Sequence, residues 1–467
     1  MKKALYGILI LFLVALAVAV YFLDAAMPIG SGYSAKYVCS QVFLADRDPK
    51  VVFENDVKPT NILFTTISNT VDYDQKIVTS AGFGFWRPAF AVYREGFGCT
   101  LAVDVTREEL LTQAKGARPQ PKPDQQKEWP FGERVDFDNI PADINKDKLS
   151  QAVEEAFQEP GETSMRNTQA VVIVYKGKLV AEKYTEQFSP KTPMLGWSMS
   201  KTITNGLTGV MVEKGKLDIH QPAPVKIWKK NTDPRSKITL DHLLRMSSGL
   251  DFEEEYAPLK DATYMLYDSK SMADYAADKP LRAKPDGEWY YSSGTTNIIA
   301  RIIKDAAGGS LVSFNDFART QLFDKLQMYS AIIEPDASGS FVGSSYMFAT
   351  PRDWARYGLF LLNDGVWNGE RILPEGWVSY STTPTPLAPK GEYGAQIWLN
   401  AGEKGNINNR DFPSLPNDMF YLSGFNGQIV AIIPSKNLIV VRIGATHNSS
   451  DWNVEEFIGN VLSSIKS

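Results

Sequence analysis

The chain has 467 residues, of which 43% are hydrophobic and 22% are charged. This composition excludes a disordered protein and is typical of a packed protein of two or three domains. The formal net charge of −5 leaves no basic excess to neutralise phosphates, so nucleic acid is not an expected partner. Two cysteines and three histidines, without a His-Glu-x-x-His pattern, predict no metal site and no other cofactor.

The N-terminus carries the first signal of where the protein resides. Lys2 and Lys3 precede an uncharged, mostly apolar run over residues 4–23, which is long enough to cross a bilayer as a helix. Lysines on this side favour a cytoplasmic N-terminus, and so predict a single-pass protein of the bacterial inner membrane with the rest of the chain in the periplasm. The alternative is a periplasmic protein released by signal cleavage. Asp24 lies where cleavage requires a small residue, which favours an uncleaved anchor.

The segment after the anchor predicts a small region and then a linker. Residues 28–114 alternate short apolar runs with Gly, Asn and Asp, which is typical of a β-rich region. This region holds Cys39 and Cys99, which an oxidising compartment would allow to form a disulfide, although two unrelated buried thiols are the alternative. Residues 115–145 begin with a stretch rich in proline and charge, as linkers do.

The rest of the chain, residues 146–467, has strand patterns at both ends and a mostly helical middle. Residues 170–175 and 179–181 predict one hairpin, and residues 428–433 and 438–443 predict another. Strands at both ends indicate an antiparallel sheet to which both termini of the domain contribute. The helical middle would then form an inserted α-rich subdomain, giving an α+β fold.

A candidate nucleophile lies in a Ser-x-x-Lys sequence formed by Ser198 and Lys201, directly before a predicted helix over residues 202–214. Positions three residues apart are neighbours on one side of a helix, so the lysine would lie beside the hydroxyl. A lysine can serve as the base that a serine requires if burial lowers its pKa. The same sequence also occurs at residues 463–466, where we assign no function, so this pattern alone is weak.

Five segments in order give the pattern its context: residues 197–201, 238–250, 285–297, 349–358 and 424–428. Together they resemble the serine β-lactamase and penicillin-recognising enzyme family. The chain is most similar to class C β-lactamase-related hydrolases, family VIII-type esterases and 6-aminohexanoate-dimer hydrolases. The resemblance implies a β-lactamase/transpeptidase-like fold with an antiparallel sheet flanked by helices. It covers more than half of the chain and leaves the N-terminal 145 residues outside.

The resemblance also implies roles for individual residues. Ser198 would be the acylated nucleophile, Lys201 its proton partner, and Tyr291 the tyrosine of the second motif, which acts as a base or shuttle. A phenol can act as a base only if a nearby cation lowers its pKa, and Lys201 is the expected cation. By position, the backbone N–H groups of Ser198 and Gln428 would form the oxyanion hole.

Further residues are expected to contact substrate: Ser293, Phe425, Asn426, Gly427 and Tyr256. Ser293 stands where the family has an asparagine, and residues 425–427 stand where many members have Lys-Thr-Gly, so the lysine that holds a β-lactam carboxylate is missing. These departures argue against an efficient β-lactamase and fit esterases and amidases. Gly427 would allow the backbone to approach the acyl group closely. For Tyr256, a solvated acidic loop is an equal alternative to substrate contact.

The sequence therefore predicts a serine hydrolase of small amides or esters, with a small-molecule substrate and the inner membrane as partners. A D-amino-acid carboxypeptidase or weak β-lactamase is an enzymatic alternative. The non-enzymatic alternative is a receptor or scaffold that binds cell-wall fragments. The presence of Ser198, Lys201 and Tyr291 together favours the enzyme, because a binding module would not need all three.

Overall fold

The computed structural model describes residues 2–161, 164–230 and 232–466. It begins with one continuous helix, α1 (Lys2–Phe43). Residues 4–22 of this helix are exposed, whereas most residues from 26 to 42 are buried. The helix is long and apolar enough to cross a membrane. The predicted anchor over residues 4–23 is thus the exposed part of a longer helix whose second half belongs to the protein core.

The second half of α1 packs against a four-stranded antiparallel sheet with strands in chain order. Its strands are β1 (Ile67–Asp72), β2 (Ile77–Gly82), β3 (Trp86–Arg94) and β4 (Gly98–Leu101). Two short helices, α2 (Pro49–Val52) and α3 (Arg107–Gln113), accompany the sheet. The prediction of β structure from residue 28 onward is wrong up to Phe43. Gly30 and Gly32 weaken helix propensity there, but the burial of this face against its neighbours outweighs propensity.

A disulfide joins Cys39 on α1 to Cys99 on β4, with Cα atoms 6.0 Å apart and a sequence separation of 60. Closing a loop of this length removes chain entropy worth about 4 kcal/mol from the unfolded state. We expect the Cys39→Ser/Cys99→Ser variant to unfold at a markedly lower temperature than the wild type in thermal scans of detergent-solubilised protein. Added reductant should lower the wild-type midpoint and leave that of the variant unchanged; equal midpoints without reductant would refute this contribution.

The region from residue 146 onward contains eleven strands and ten α-helices within the described residues. The strands are β5 (Thr168–Tyr175), β6 (Lys178–Tyr184), β7 (Met194–Leu195), β8 (Ile332–Ile333), β9 (Met347–Ala349), β10 (Val366–Trp367), β11 (Glu370–Arg371), β12 (Trp398–Leu399), β13 (Phe420–Gly424), β14 (Gln428–Ile433) and β15 (Leu438–Gly444). The helices are α4 (Lys146–Phe157), α5 (Ser200–Glu213), α6 (Leu240–Leu244), α7 (Asp261–Asp268), α8 (Met272–Ala277), α9 (Ser293–Ala306), α10 (Leu311–Ala318), α11 (Pro351–Leu362), α12 (Trp377–Ser381) and α13 (Val454–Ser463).

The main sheet has six strands in the order β12-β13-β14-β15-β5-β6, and every pairing in it is antiparallel. Strand β15 pairs with β5, with Val440 opposite Ile173, so strands from both ends of the region lie side by side as predicted. Helices α4 and α13 cover one face of the sheet and α11 covers the other. Helices α5 to α10 form the predicted α-rich insertion beside the sheet.

The second part of the predicted linker, residues 115–145, packs against this region. Trp129 is buried, and Glu133 forms ion pairs with Arg352 (3.1 Å) and Arg356 (2.8 Å) of α11. Arg356 also donates to the carbonyl oxygen of Gly132 at 2.6 Å. In the sequence, charged residues in this segment favour a solvated linker. In the structure, Glu133 instead neutralises two buried arginines, since an unpaired buried charge would be costly.

The two regions are also joined by a buried carboxylate. Glu334 directly follows β8 in the chain and is fully buried. It pairs with Lys36 of α1, and it accepts hydrogen bonds from Ser40 (2.9 Å) and the backbone N–H of Cys99 (2.6 Å). One carboxylate thereby connects α1, β4 and the region from residue 146 onward, called the catalytic region below, within a common core.

Candidate active site

Ser198 lies in a single 3-10 turn, Trp197–Met199, that leads directly into α5. Trp197 has a φ of +48°, a left-handed conformation that costs energy for a bulky residue. Its indole stacks on Tyr37 of α1 with ring centroids 6.0 Å apart, and meets Phe425 edge-on at 5.7 Å. These contacts hold a strained turn in which the Ser198 side chain is half-buried.

Lys201 contacts Ser198 as predicted from their spacing. Its Nζ lies 3.0 Å from Ser198 Oγ, 3.0 Å from Ser293 Oγ and 3.1 Å from the carbonyl oxygen of Ser344. Burial lowers the pKa of Lys201 to about 8, and the carboxylate of Glu254 opposes that shift. A neutral amine can accept the Ser198 proton while its two hydrogens bond to Ser293 and Ser344, so the site satisfies Lys201 in either protonation state.

Tyr291 also lies close to the Lys201 amine. The Lys201 Nζ is 4.7 Å from the centroid of its ring. Burial raises the pKa of Tyr291, and the neighbouring Ser198 hydroxyl opposes this shift only in part. The expectation that Lys201 lowers this pKa is therefore wrong, because desolvation of the phenolate dominates and the Glu254 carboxylate raises the pKa further. A neutral Tyr291 can pass on or donate a proton, but it is not a resting base.

Glu254 is a site residue that the sequence analysis did not identify. Its carboxylate accepts hydrogen bonds from the backbone N–H of Ser293 (2.7 Å), from the Ser293 hydroxyl, and from the Tyr256 hydroxyl (2.9 Å). Ser293 Oγ in turn accepts a hydrogen bond from Lys201. A single serine hydroxyl thus connects the carboxylate to the amine. The only sequence signal was an acidic run, which also fits a solvated loop.

The structure brings Tyr256 to the site as well. Its ring stacks on that of Phe425 with centroids 6.4 Å apart, and its hydroxyl lies 3.1 Å from Ser293 Oγ. Half of the side chain remains exposed, at 51%. Of the two interpretations of Tyr256, the geometry favours a residue that faces substrate.

The third motif is placed differently from the prediction. A Cβ on Gly424 would lie 2.2 Å from the carbonyl oxygen of Gly196, so it is Gly424 that allows β13 to approach the nucleophile turn. Gly427 has a φ of +79°, and its added Cβ would meet Arg442 at 2.7 Å and Trp452 at 3.4 Å. The sequence analysis expects Gly427 to permit the approach to the acyl group; the structure places Gly427 beside Arg442 and Gly424 beside the nucleophile turn.

The other residues of this turn also differ in whether they reach the cavity beside Ser198. Of residues 424–428, all of which the structure describes, Phe425 lines the cavity that contains Ser198. The carbonyl oxygen of Asn426 accepts a hydrogen bond from Arg442 at 3.1 Å. The side-chain amide of Gln428 both accepts from and donates to the backbone of Gly444. The structure therefore brings Phe425 to the cavity and leaves Asn426, Gly427 and Gln428 out of its lining.

A cavity of about 140 Å³ opens beside Ser198. None of the described residues that line it carries a charge. Part of its wall comes from the N-terminal region: Ala26, Ile29 and Tyr33 of α1, and Phe64. The N-terminal region, which the sequence analysis treated as a separate module, thus contributes directly to the site.

Comparison with known proteins agrees with this architecture. A family model described as Beta-lactamase matches residues 153–456. The chain belongs to the beta-lactamase family. A curated relative, the 6-aminohexanoate-dimer hydrolase of Paenarthrobacter ureafaciens, is 24% identical over 300 residues, which cover 60% of this chain and 72% of that protein.

Solved structures show the same fold in members with different activities. A family VIII carboxylesterase aligns with a TM-score of 0.55 at 12% identity and covers 70% of this chain and 97% of its own. The D-amino acid amidase of Ochrobactrum anthropi SV3 aligns with a TM-score of 0.50 at 16% identity and covers 68% and 97% respectively. The predicted β-lactamase/transpeptidase-like α+β fold is confirmed, as is the prediction of an enzyme of this hydrolase family.

Proposed function

We propose that this protein is a membrane-anchored serine hydrolase that cleaves amides or esters through an acyl-enzyme on Ser198. The observation that carries the proposal is the 3.0 Å contact between Ser198 Oγ and a buried Lys201 amine whose pKa is about 8. An amine with this pKa is partly neutral near pH 7 and can take the serine proton. Relatives named as an amide hydrolase and a carboxylesterase support the reaction class.

The first step forms a bond between Ser198 Oγ and the substrate carbonyl carbon while the hydroxyl proton moves to Lys201. The bond to the alcohol or amine then breaks, and the leaving group takes up this proton with Tyr291 as the shuttle. Water next attacks the acyl-enzyme, gives a proton to Lys201, and releases the acid as the proton returns to Ser198. Each turnover therefore consumes one water and regenerates the free serine.

Two backbone N–H groups would hold the oxyanion during both steps. One is that of Ser198, at the start of α5, where the helix dipole also favours negative charge. We assign the second to Phe425 in place of Gln428, the residue predicted from sequence. The support is that Phe425 lines the cavity with Ser198 and directly follows Gly424, which abuts Gly196.

Membrane anchoring through an uncleaved α1 is part of the proposal, with the catalytic region on the periplasmic side. Asp24 accepts hydrogen bonds from Trp86 Nε1 (2.9 Å) and Arg87 Nε (2.8 Å) of β3. Ala26, two residues further along the helix, is buried. Cleavage in this part of α1 would break the Asp24 contacts with β3 and interrupt a helix that is continuous up to Phe43. This supports an anchor over a signal peptide.

An uncharged acyl group is favoured over the carboxylate-bearing substrates of β-lactamases and carboxypeptidases. The described lining of the cavity has no cation that could pair with a substrate carboxylate. A receptor for charged cell-wall fragments is disfavoured for the same reason. The geometry thus fits an esterase or amidase best.

We expect full-length protein in detergent to hydrolyse p-nitrophenyl butyrate, and Ser198→Ala to lower the rate by roughly a thousandfold or more. The matched control is Ser463→Ala, which removes the serine of the other Ser-x-x-Lys sequence on the exposed side of α13 and should leave the rate unchanged. A serine-reactive phosphonate should add to Ser198 in intact-protein mass spectra. Equal rates for Ser198→Ala and wild type, or an adduct elsewhere, would overturn the proposal.

A further inference from the structure

The cavity beside Ser198 runs along α1 toward the part of that helix that is exposed and apolar. Ala26, Ile29 and Tyr33 line it at spacings of three and four residues, and so form one face of the helix. Phe22, which is 55% exposed, is the last exposed residue of the apolar part. At 1.5 Å per residue, Ala26 lies only about 6 Å beyond Phe22 along the helix axis. One end of the cavity is therefore at the nucleophile and the other lies where α1 would leave a bilayer.

A second, independent feature is an exposed aromatic turn that lies beside α1, close to where its apolar part ends. The turn between β2 and β3 exposes Phe83 (57%) and Phe85 (78%). The following residue, Trp86, donates a hydrogen bond to Asp24, so the turn is held beside α1 just beyond its apolar part. Exposed phenylalanine side chains at this height can insert into the boundary between the lipid head groups and the acyl chains. They extend the apolar surface of the anchor onto the body of the protein.

We propose that the substrate is a membrane-resident amphiphile, an ester or amide of a long-chain acyl group, that enters the cavity from the bilayer. This inference rests on the proposed function. The acyl chain would lie between α1 and the segment around Phe64, with its carbonyl carbon at Ser198 and its polar head directed outward. The uncharged lining suits a hydrocarbon chain, and each methylene that it buries strengthens binding about fourfold.

The reaction is the acyl transfer described above, so nothing beyond water is required. The bond between the acyl carbon and the head-group oxygen or nitrogen breaks as the bond to Ser198 Oγ forms. Water then releases a fatty acid, which can return to the bilayer along the same face of α1. Phe83 and Phe85 would hold the body against the leaflet, so that the cavity entrance stays at the level of the lipid acyl chains.

The first test is a chain-length series of p-nitrophenyl esters, from acetate to dodecanoate, with full-length protein in detergent micelles. We expect kcat/KM to rise by roughly tenfold or more between the shortest and the longest chain. Ala26→Phe, which fills the far end of the cavity, should lower the ratio of long-chain to short-chain kcat/KM by a similar factor. The matched control is Ala19→Phe, the same change two turns earlier on the exposed part of α1, which should leave the ratio unchanged.

The second test separates a membrane source from a dissolved one. Full-length protein is placed in phosphatidylcholine vesicles that contain 4-methylumbelliferyl oleate, or is mixed with separate vesicles that contain it. Substrate in the same bilayer should be hydrolysed roughly tenfold faster or more; equal rates would overturn the membrane route. Ser198-dependent rates that fall with chain length would overturn this inference and leave the proposed function standing. No hydrolysis of any ester, without a phosphonate adduct on Ser198, would overturn both.

Discussion

The Gly424→Ala variant is expected to lose roughly a hundredfold or more in kcat/KM towards p-nitrophenyl butyrate. The added methyl carbon would lie 2.2 Å from the carbonyl oxygen of Gly196, a backbone atom that cannot rotate away. Strand β13 must therefore move back from the nucleophile turn. This displaces the N–H of Phe425 from the oxyanion, and a displacement of about 1 Å is enough to cost this much.

The control for this variant is Gly459→Ala in α13, where an added Cβ meets nothing within 4 Å. Alanine has the higher helix propensity, so this variant should keep full activity and gain up to about 1 kcal/mol of stability. Far-UV circular dichroism and phosphonate labelling of Ser198 would show that the Gly424→Ala variant is folded. Wild-type kcat/KM in that folded variant would contradict the assignment of Phe425 as the second oxyanion donor.

The second large effect concerns pH. We expect kcat/KM to rise with pH along an acid limb near pH 8, since Lys201 accepts the Ser198 proton only when neutral and burial lowers its pKa to about 8. Below that pH, the fraction of Lys201 that is neutral falls about tenfold for each unit by which the pH is lowered. The Glu254 carboxylate raises the pKa of Lys201, so Glu254→Gln should move the limb to lower pH. Lys201→Ala should remove the limb together with roughly three orders of magnitude in rate.

Glu255→Gln is the matched control for Glu254→Gln, because this neighbouring carboxylate is exposed and pairs with Lys260 at 3.4 Å. It should leave the acid limb in place. The profiles should be measured as kcat/KM over about pH 6 to 10, after subtraction of the spontaneous ester hydrolysis. If the acid limb lies at the same pH in Glu254→Gln and in the wild type, the Glu254 carboxylate does not act on Lys201.

How much of the site could be predicted depended on the distance between partners along the chain. Ser198 and Lys201 are three residues apart on one turn, and this local geometry fixes their contact. Glu254 reaches Lys201 through Ser293, 39 residues further along the chain, and only the folded chain brings them together. Its acidic neighbours made this segment indistinguishable from a solvated loop.

The third motif shows why a short match can be shifted along the chain. Gly424 and Gly427 are three residues apart, and either could be the glycine that lies against the nucleophile turn. What decides between them is the contact with Gly196, which is more than 200 residues away in the sequence and therefore invisible to a local pattern. The pairing of β5 with β15 was predictable, by contrast, because long apolar strands at both ends of a domain have few other partners.

The buried contact of Glu334 with Lys36 has a mechanical consequence. Since α1 is continuous from its apolar end to this ion pair, the catalytic region cannot swing on a flexible tether as many anchored enzymes do. Stacking of Trp197 on Tyr37 attaches the nucleophile turn to the same helix. In the proposed membrane-anchored state, Ser198 would thus be kept at one height and one orientation above the lipid surface, and the enzyme would search for substrate by diffusing laterally in the plane of the membrane.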